Sequence, residues 1–278
     1  MRFGEKDSEK PGLIDPGGNI RDLSDYCADF YHHGVSLNSL EKIINKDYMK
    51  LPHVPRSVRL GSCLADAPNF YCIGLNYAKH ARETGDDAPT EPIIFSKATS
   101  SISGPYDKVI IPKGSEKTDW EVELGVVIGE NCVHVPEEEA LEVVSGYCVI
   151  NDVSERSFQF DHGGQWIKGK SAPTFGPIGP FLVTKHDIPD PQNLNLSLKL
   201  NGTTVQSSNT SDMIFTVRQI IAHMTRFLEL RVGDIIATGT PEGVGIGMKP
   251  PVFLKVGDIM EVEIEHLGIQ KQEVAAFI

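Results

Sequence analysis

From residue 70 onward the sequence alternates short β-forming runs with glycine- and proline-bearing turns, and this texture limits the fold more than any other feature. The runs FYCIGL, VELGVVIG, YCVINDV, GPFLVT, LSLKLNG, DIIATG and DIMEVEIEHL are rich in the β-branched and aromatic residues that suit a pleated surface. One long helical pattern stands against them. In TVRQIIAHMTRFLEL (216–230), Ile220, Ile221, Met224, Phe227 and Leu228 recur at helical spacing. The periodicity therefore predicts a mostly β fold with a few helices (α+β) and not a doubly wound α/β sheet. Residues 1–65 read as a small N-terminal α/β module: two strand-like runs around the turn DPGGN (15–19), then a helix near 37–46. The stretch LPHVPRSVRLGSCLADAPN, rich in proline and small residues, reads as a linker to a larger unit over 70–278.

Charge narrows the choice of partner. A formal net charge of -12 disfavours nucleic acid and anionic membranes, because a polyanion meets repulsion over most of such a surface. A small anionic ligand would need a local cationic site. The five cysteines form an odd set without CxxC spacing, and the N-terminus MRFGEKDSEK is charged, which predicts a reduced, cytoplasmic setting. No run of 18 apolar residues free of charge occurs, so no membrane span is predicted.

Within TDWEVELGVVIGE (118–130), Glu121 and Glu123 lie two apart and so share one strand face, while Val122, Leu124 and Val126 share the other. Such a pair by itself is consistent with a solvated face. The GVVIG that follows is apolar on both faces, however, and points to a strand interior to its sheet, where a carboxylate pair needs a cation or a proton. Asp152 ends the apolar run YCVIN; taken singly, it serves equally well as a turn former. Three carboxylates converging from two strands would make an all-oxygen site suited to Mg²⁺ or Mn²⁺, and no Cys or His sits at zinc-ligand spacing.

In NYAKHARETG (76–85), His80 and Glu83 are three apart, which on a short helix lets the carboxylate orient the imidazole. The following GDDAPTEP has the composition of a loop that can close as a lid. GTPEGVGIG (239–247) lacks the GK[ST] ending of a phosphate loop and reads as a tight turn whose N–H groups, with Thr240, can approach a small anion. GKSAPTFGPIGP (169–180) is similar and offers Lys170 as a cation.

Taken in order, YCIGLNYAKHARE, EPIIFSKATSSISGP, DWEVELGVVIG, GYCVINDVSER, GKSAPTFGPIGP, SDMIFTVRQII, LRVGDIIATGTPEGVG and LKVGDIMEVEIEHLG resemble the fumarylacetoacetate hydrolase family over about residues 70–275. The resemblance implies a mixed β-roll core forming the catalytic domain, a homodimer, and a divalent metal at the mouth of the roll. By position it assigns Glu121, Glu123 and Asp152 as metal ligands and His80 with Glu83 as the dyad that activates water. It places Lys170 facing the substrate, with Gln159, Thr240 and Lys97 around the same pocket. Fumarylacetoacetase itself has a longer N-terminal domain and a further upstream acidic ligand, so the chain is more similar to the shorter, bacterial-type branch.

That branch implies a metal-dependent hydrolase that cuts the C3–C4 bond of a 2,4-dioxo acid, either an acylpyruvate or a 2,4-diketo-3-deoxy sugar acid such as 2,4-diketo-3-deoxy-L-fuconate. Pyruvate would leave by way of a metal-stabilised enolate, with a second acid as the other product. The alternatives on the same site are a lyase such as ureidoglycolate lyase, an oxaloacetate decarboxylase, or a 2-hydroxymuconate-type isomerase. The expected ligand in every case is a small anionic acid.

Overall fold

A computed structural model describes residues 1–85 and 87–277. Two large sheets pack face to face around the main core, in the mostly β arrangement expected from the sequence. In spatial order the first runs Val183–Thr184, Val144–Asn151, Val122–Ile128, Ile235–Ala237, Phe70–Gly74 and Ile93–Lys97. Ile235–Ala237 pairs in parallel with Phe70–Gly74 and every other pair in this sheet is antiparallel, so the sheet is mixed. The second runs Thr203–Asn209, Asn195–Leu200, Ile259–Ile264, Gly268–Ala276 and Val109–Ile111, with only its last pair parallel.

The strand Val122–Ile128 is interior to its sheet and buried along its whole length, as its two-sided apolar run requires. Val122, Leu124 and Val126 join Leu196, Leu198, Val262 and Ile264 in the core between the sheets. Fully burying each such side chain contributes roughly 1.5–3 kcal/mol. The opposite face begins with Glu121 and Glu123 and continues as Gly125 and Val127. Gly125 is needed there, since a Cβ would lie 2.7 Å from both Cys148 Sγ and Ile150 Cδ1. Val127 packs with Leu23, Val35, Phe70 and Cys72 in a second cluster. This face is thus apolar at depth and acidic only at the end where the sheet opens.

The N-terminal residues form a four-stranded sheet, Arg2–Phe3, Lys10–Ile14, Ile20–Asp22 and His53–Val54, beside the helix Leu37–Ile44. Asp15 shapes the predicted turn by accepting the N–H groups of Gly17 and Asn19, each at 2.9 Å. Ser36 caps the helix by accepting from the N–H of Ser39. The stretch 51–69 pairs and packs as well as connects: His53–Val54 pairs with Ile20 and Arg21, and Leu51, Cys63, Leu64 and Ala67 are buried. Leu23, Phe30 and Val35 share their cluster with Phe70 and Ile150, so the N-terminal module and the large sheet are packed together.

The helix expected over 216–230 is shorter, spanning Val217–Met224. A capping box of Thr216 and Gln219 starts it. It stops where Thr225 bonds to a neighbouring segment: its carbonyl accepts the N–H of His134 and its hydroxyl accepts the N–H of Val135. The chain then leaves the helix so that Leu230 can pair with Cys132. Phe227, which helical spacing places on the apolar face, is 65% exposed as a result. Among the described residues, no helix is long and apolar enough to cross a membrane.

Candidate active site

Strand register brings the three acidic residues together. Val122 pairs with Asn151 and Glu123 with Ile150; one step beyond, the N–H of Asp152 donates to the Glu121 carbonyl at 2.9 Å. Each of Glu121, Glu123 and Asp152 therefore offers a carboxylate oxygen within 4.8 Å of the others, and all three are buried. Non-local pairing supplies the third member that the local spacing of the glutamates could not.

Buried cations hold two of the three. Lys170 Nζ bridges Glu121 Oε2 (2.7 Å) and Asp152 Oδ2 (2.8 Å), and Arg156 Nη2 donates to Glu121 Oε1 at 2.7 Å. Lys97, expected in the substrate pocket, lies behind Asp152, where its ammonium makes a short bond to Oδ1 and another to the Val153 carbonyl at 3.1 Å. Burial pushes the Glu121 carboxyl up, but the Lys170 and Arg156 charges outweigh it and hold that carboxyl well below the usual carboxylate range. Burial also opposes the charge on Lys170, yet Asp152 and Glu121 raise its affinity for the proton above that of a free lysine. Lys170 is accordingly a paired cation at the floor of the site and not an available one.

Glu123 differs. Its Oε2 accepts the N–H of Gly239 at 2.8 Å, and burial, together with the charges of Asp152 and Glu121, pushes its carboxyl well above the ordinary range. In the linked cluster four carboxylates, Asp119, Glu121, Glu123 and Asp152, face three cations, Lys97, Arg156 and Lys170. One proton on Glu123 balances that count. A divalent cation would replace the proton and leave one positive charge in excess, which suits an anionic ligand. The donor set is all oxygen, as Mg²⁺ and Mn²⁺ prefer, so the residues fit such an ion.

The second group is held by the helix Ala78–Thr84, which ends in a left-handed Gly85 (φ 87°). His80 and Glu83 share a face of it, and His80 Nδ1 lies 3.6 Å from Glu83 Oε1, just outside hydrogen-bond length. That nitrogen is buried and, among the described residues, has no partner. Glu83 instead accepts the N–H groups of Gly243 (2.8 Å) and Val244 (3.3 Å). The proposed lid segment 85–92 includes Asp86, which lies outside the described residues.

The loop 239–247 does form an anion-binding turn, but its anions belong to the protein. Besides Glu83 and Glu123, Asp119 accepts the N–H groups of Gly245 (2.7 Å) and Ile246 (3.0 Å). A free small anion is therefore not what these N–H groups meet. Close packing explains the glycines: at Gly247 a Cβ would come within 2.2 Å of Glu83 Cγ, and Gly243 has φ 97°. Thr240 donates to the Val122 carbonyl at 2.9 Å, and Gln159 accepts from Arg156 Nη1 at 3.0 Å.

These groups enclose one cavity of about 380 Å³, lined by His80, Glu83, Glu121, Glu123, Gln159, Lys170 and Thr240 as well as apolar residues. Arg156, Asp119, Phe95 and Trp166 also belong to the site, and the sequence reading gave them no role. Arg156 stands four residues after Asp152 in NDVSER, and Asp119 opens DWEVEL, so both lay inside recognised motifs. Asp119 joins the two halves: it receives Arg156 Nε at 2.8 Å while holding the loop that holds Glu83. Asp119→Ala is expected to destabilise the fold by about 3–5 kcal/mol, since it leaves a buried guanidinium underpaired. The midpoint of urea unfolding measures this, and a change within about 0.5 kcal/mol would show the link to be dispensable.

Comparison with known proteins agrees with this geometry. A Burkholderia lata protein provisionally named a hydrolase is 52% identical over 273 residues, 98% of this chain and 97% of its own. Among solved structures, a fumarylacetoacetate hydrolase from psychrophilic Exiguobacterium antarcticum matches 100% of this chain and 99% of its own, with a TM-score of 0.87 and 34% identity. Maleylpyruvate hydrolase from Sphingobium sp. SYK-6, solved with manganese(II) and pyruvate, matches 100% of both chains at a TM-score of 0.82 and 28% identity. The family model described as fumarylacetoacetate (FAA) hydrolase C-terminal matches residues 69–275, the stretch that carries both sheets and every residue of the cavity. With the motifs, the mixed β fold and the acidic mouth all accounted for, the chain belongs to the fumarylacetoacetate hydrolase family.

Proposed function

We propose that the protein is a divalent-metal-dependent hydrolase that cleaves the C3–C4 bond of a 2,4-dioxo acid, giving pyruvate and a second acid. One observation carries this reading: Glu121 and Glu123 of a buried three-carboxylate cluster line the same cavity as a His80–Glu83 pair, with Asp152 buried behind them. The first can hold a cation and the second can move a proton. The maleylpyruvate hydrolase relative, solved with manganese(II) and pyruvate, supports both the metal class and the 2-oxo acid class.

Glu121, Glu123 and Asp152 would hold Mg²⁺ or Mn²⁺, which when bound supplies Lewis-acid stabilisation of the negative charge that develops on the 2-oxo acid. Lys170 and Arg156 fix the carboxylate oxygens of Glu121, so the cluster is organised before any substrate arrives. Glu83, itself set by the loop, orients His80 through Nδ1; closing their 3.6 Å separation by about half an ångström makes the hydrogen bond. The other imidazole nitrogen then takes a proton from water as the hydroxyl adds to C4. When the C3–C4 bond breaks, its electron pair passes to the C2–C3 enolate, and protonation at C3 gives pyruvate.

A panel assay tests the reading. Chelator-treated protein is supplied with Mg²⁺ and then Mn²⁺ and given acylpyruvates, 2,4-dioxo sugar acids, oxaloacetate and ureidoglycolate, with pyruvate or glyoxylate measured. Metal-dependent pyruvate release from the 2,4-dioxo acids is expected. Turnover of oxaloacetate alone would make the protein a decarboxylase, and glyoxylate from ureidoglycolate would make it a lyase.

A further inference from the structure

We propose that the group carried on C4 of the substrate is an uncharged apolar chain or ring, selected by an aromatic wall of Phe95 and Trp166. This inference rests on the function proposed above and narrows its substrate class. The two lysine and arginine side chains on the cavity wall, Lys170 and Arg156, are both paired with carboxylates at the acidic end. Among the described residues that line the cavity, no lysine or arginine is left unpaired to receive a second carboxylate.

Beside the paired Lys170 the wall is aromatic. The helix Trp166–Lys170 sets Trp166 and Lys170 one turn apart on a shared face, and Phe95 lies against both. Its ring centroid is 5.2 Å from Lys170 Nζ and 5.2 Å from the Trp166 ring, which it meets edge to face. A substrate whose 2-oxo acid end sits at the triad thus reaches this wall within a few bonds. Gly74 makes the arrangement possible: a Cβ there would lie 2.6 Å from Trp166 Cζ3. The indole rests directly on backbone, and any side chain at position 74 would displace it. Ile73, Leu75 and Ile246 extend the apolar lining.

An alkyl tail gains from burial here, whereas a carboxylate would lose its hydration to a wall whose neighbouring cation, Lys170, is already committed to Glu121 and Asp152. Along acetyl-, butanoyl- and hexanoylpyruvate, kcat/KM is expected to rise by about fourfold per buried methylene until the cavity is filled. Succinylpyruvate, which ends in a carboxylate, is expected at least about a hundredfold below butanoylpyruvate. Both Trp166→Ala and Gly74→Ala are expected to flatten the hexanoyl-to-acetyl ratio, and unchanged affinity for Mn²⁺ alone shows that each variant is folded.

Binding separates this proposal from the hydrolase reading. Calorimetry of the Mn²⁺-loaded protein with unbranched 2-oxo acids of four to seven carbons, and with 2-oxoglutarate and 2-oxoadipate, requires no turnover. Affinity that rises with chain length and falls for the dioates supports the aromatic-wall assignment even if no acylpyruvate is cleaved, an outcome that would sink the hydrolase alone. Tighter binding of the dioates, absence of any chain-length dependence, an unchanged slope in both variants, or no binding at all would overturn it.

Discussion

Replacing Glu123 by glutamine is expected to lower metal-dependent turnover at least about a thousandfold, the equivalent of several kcal/mol of lost transition-state stabilisation. The metal-free variant should nonetheless be as stable as the parent, or more so, near neutral pH. Both expectations come from one feature. Glu123 has no cationic partner of its own among the described residues, and burial beside Asp152 and Glu121 raises its carboxyl well above the ordinary 4.5. The folded chain therefore holds this proton more tightly than the unfolded chain does. Stability from it is complete below the ordinary value and declines as pH rises from there toward the raised folded value. Glutamine, a neutral isostere, removes that decline while losing the charge a cation needs. Thermal unfolding from pH 4 to 8 with chelator present, set beside pyruvate release, measures both halves. Full activity in the variant would remove Glu123 from the ligand set, and a collapsed fold would show that its charge is structural.

His80→Ala is expected to cost about 10²–10⁴-fold in hydrolysis, the usual contribution of a positioned general base. Affinity for Mn²⁺ should change little, because the hydrogen bonds that fix Glu121, Glu123 and Asp152 come from Arg156, Lys170, Lys97 and the Gly239 N–H. Decarboxylation of oxaloacetate, which requires no attacking water, should persist in part. Equal loss of both reactions would contradict the division of labour between the acidic cluster and the dyad. Glu83→Gln belongs in the same experiment. It retains one carbonyl acceptor for the loop N–H groups but loses the charge that orients the imidazole, so an intermediate loss in hydrolysis is expected.

Local periodicity carried much of the fold. A period of two along Trp120 to Val127 placed two carboxylates on one face, and the apolar GVVIG put that strand inside a sheet. Other features depend on contacts across long stretches of chain, which local pattern does not encode. Asp152 meets Glu121 only through the register of two strands. The loop 239–247 was legible as an anion-binding turn, but its anions are Asp119, Glu123 and Glu83, separated from their N–H partners by 126, 116 and 160 positions. Lys170 was legible as a cation of the site, and Lys97 entered only through the family resemblance, as a residue around the pocket. Their burial against Asp152 and Glu121 follows from the need to neutralise carboxylates in a dry interior, a constraint that appears only once those carboxylates are known to be buried. The helix expected over 216–230 ended early for a related reason: Thr225 bonds to a segment 90 positions away.

The central claim is that Glu121, Glu123 and Asp152 form a divalent-cation site whose binding displaces a proton. Titrating chelator-treated protein with Mn²⁺ in two buffers of different ionisation enthalpy measures affinity, stoichiometry and proton release together. One ion per chain, bound with release of a proton and lost in Glu123→Gln, is the predicted result. Absence of binding at millimolar Mn²⁺, or binding that is unchanged in that variant, would contradict the account.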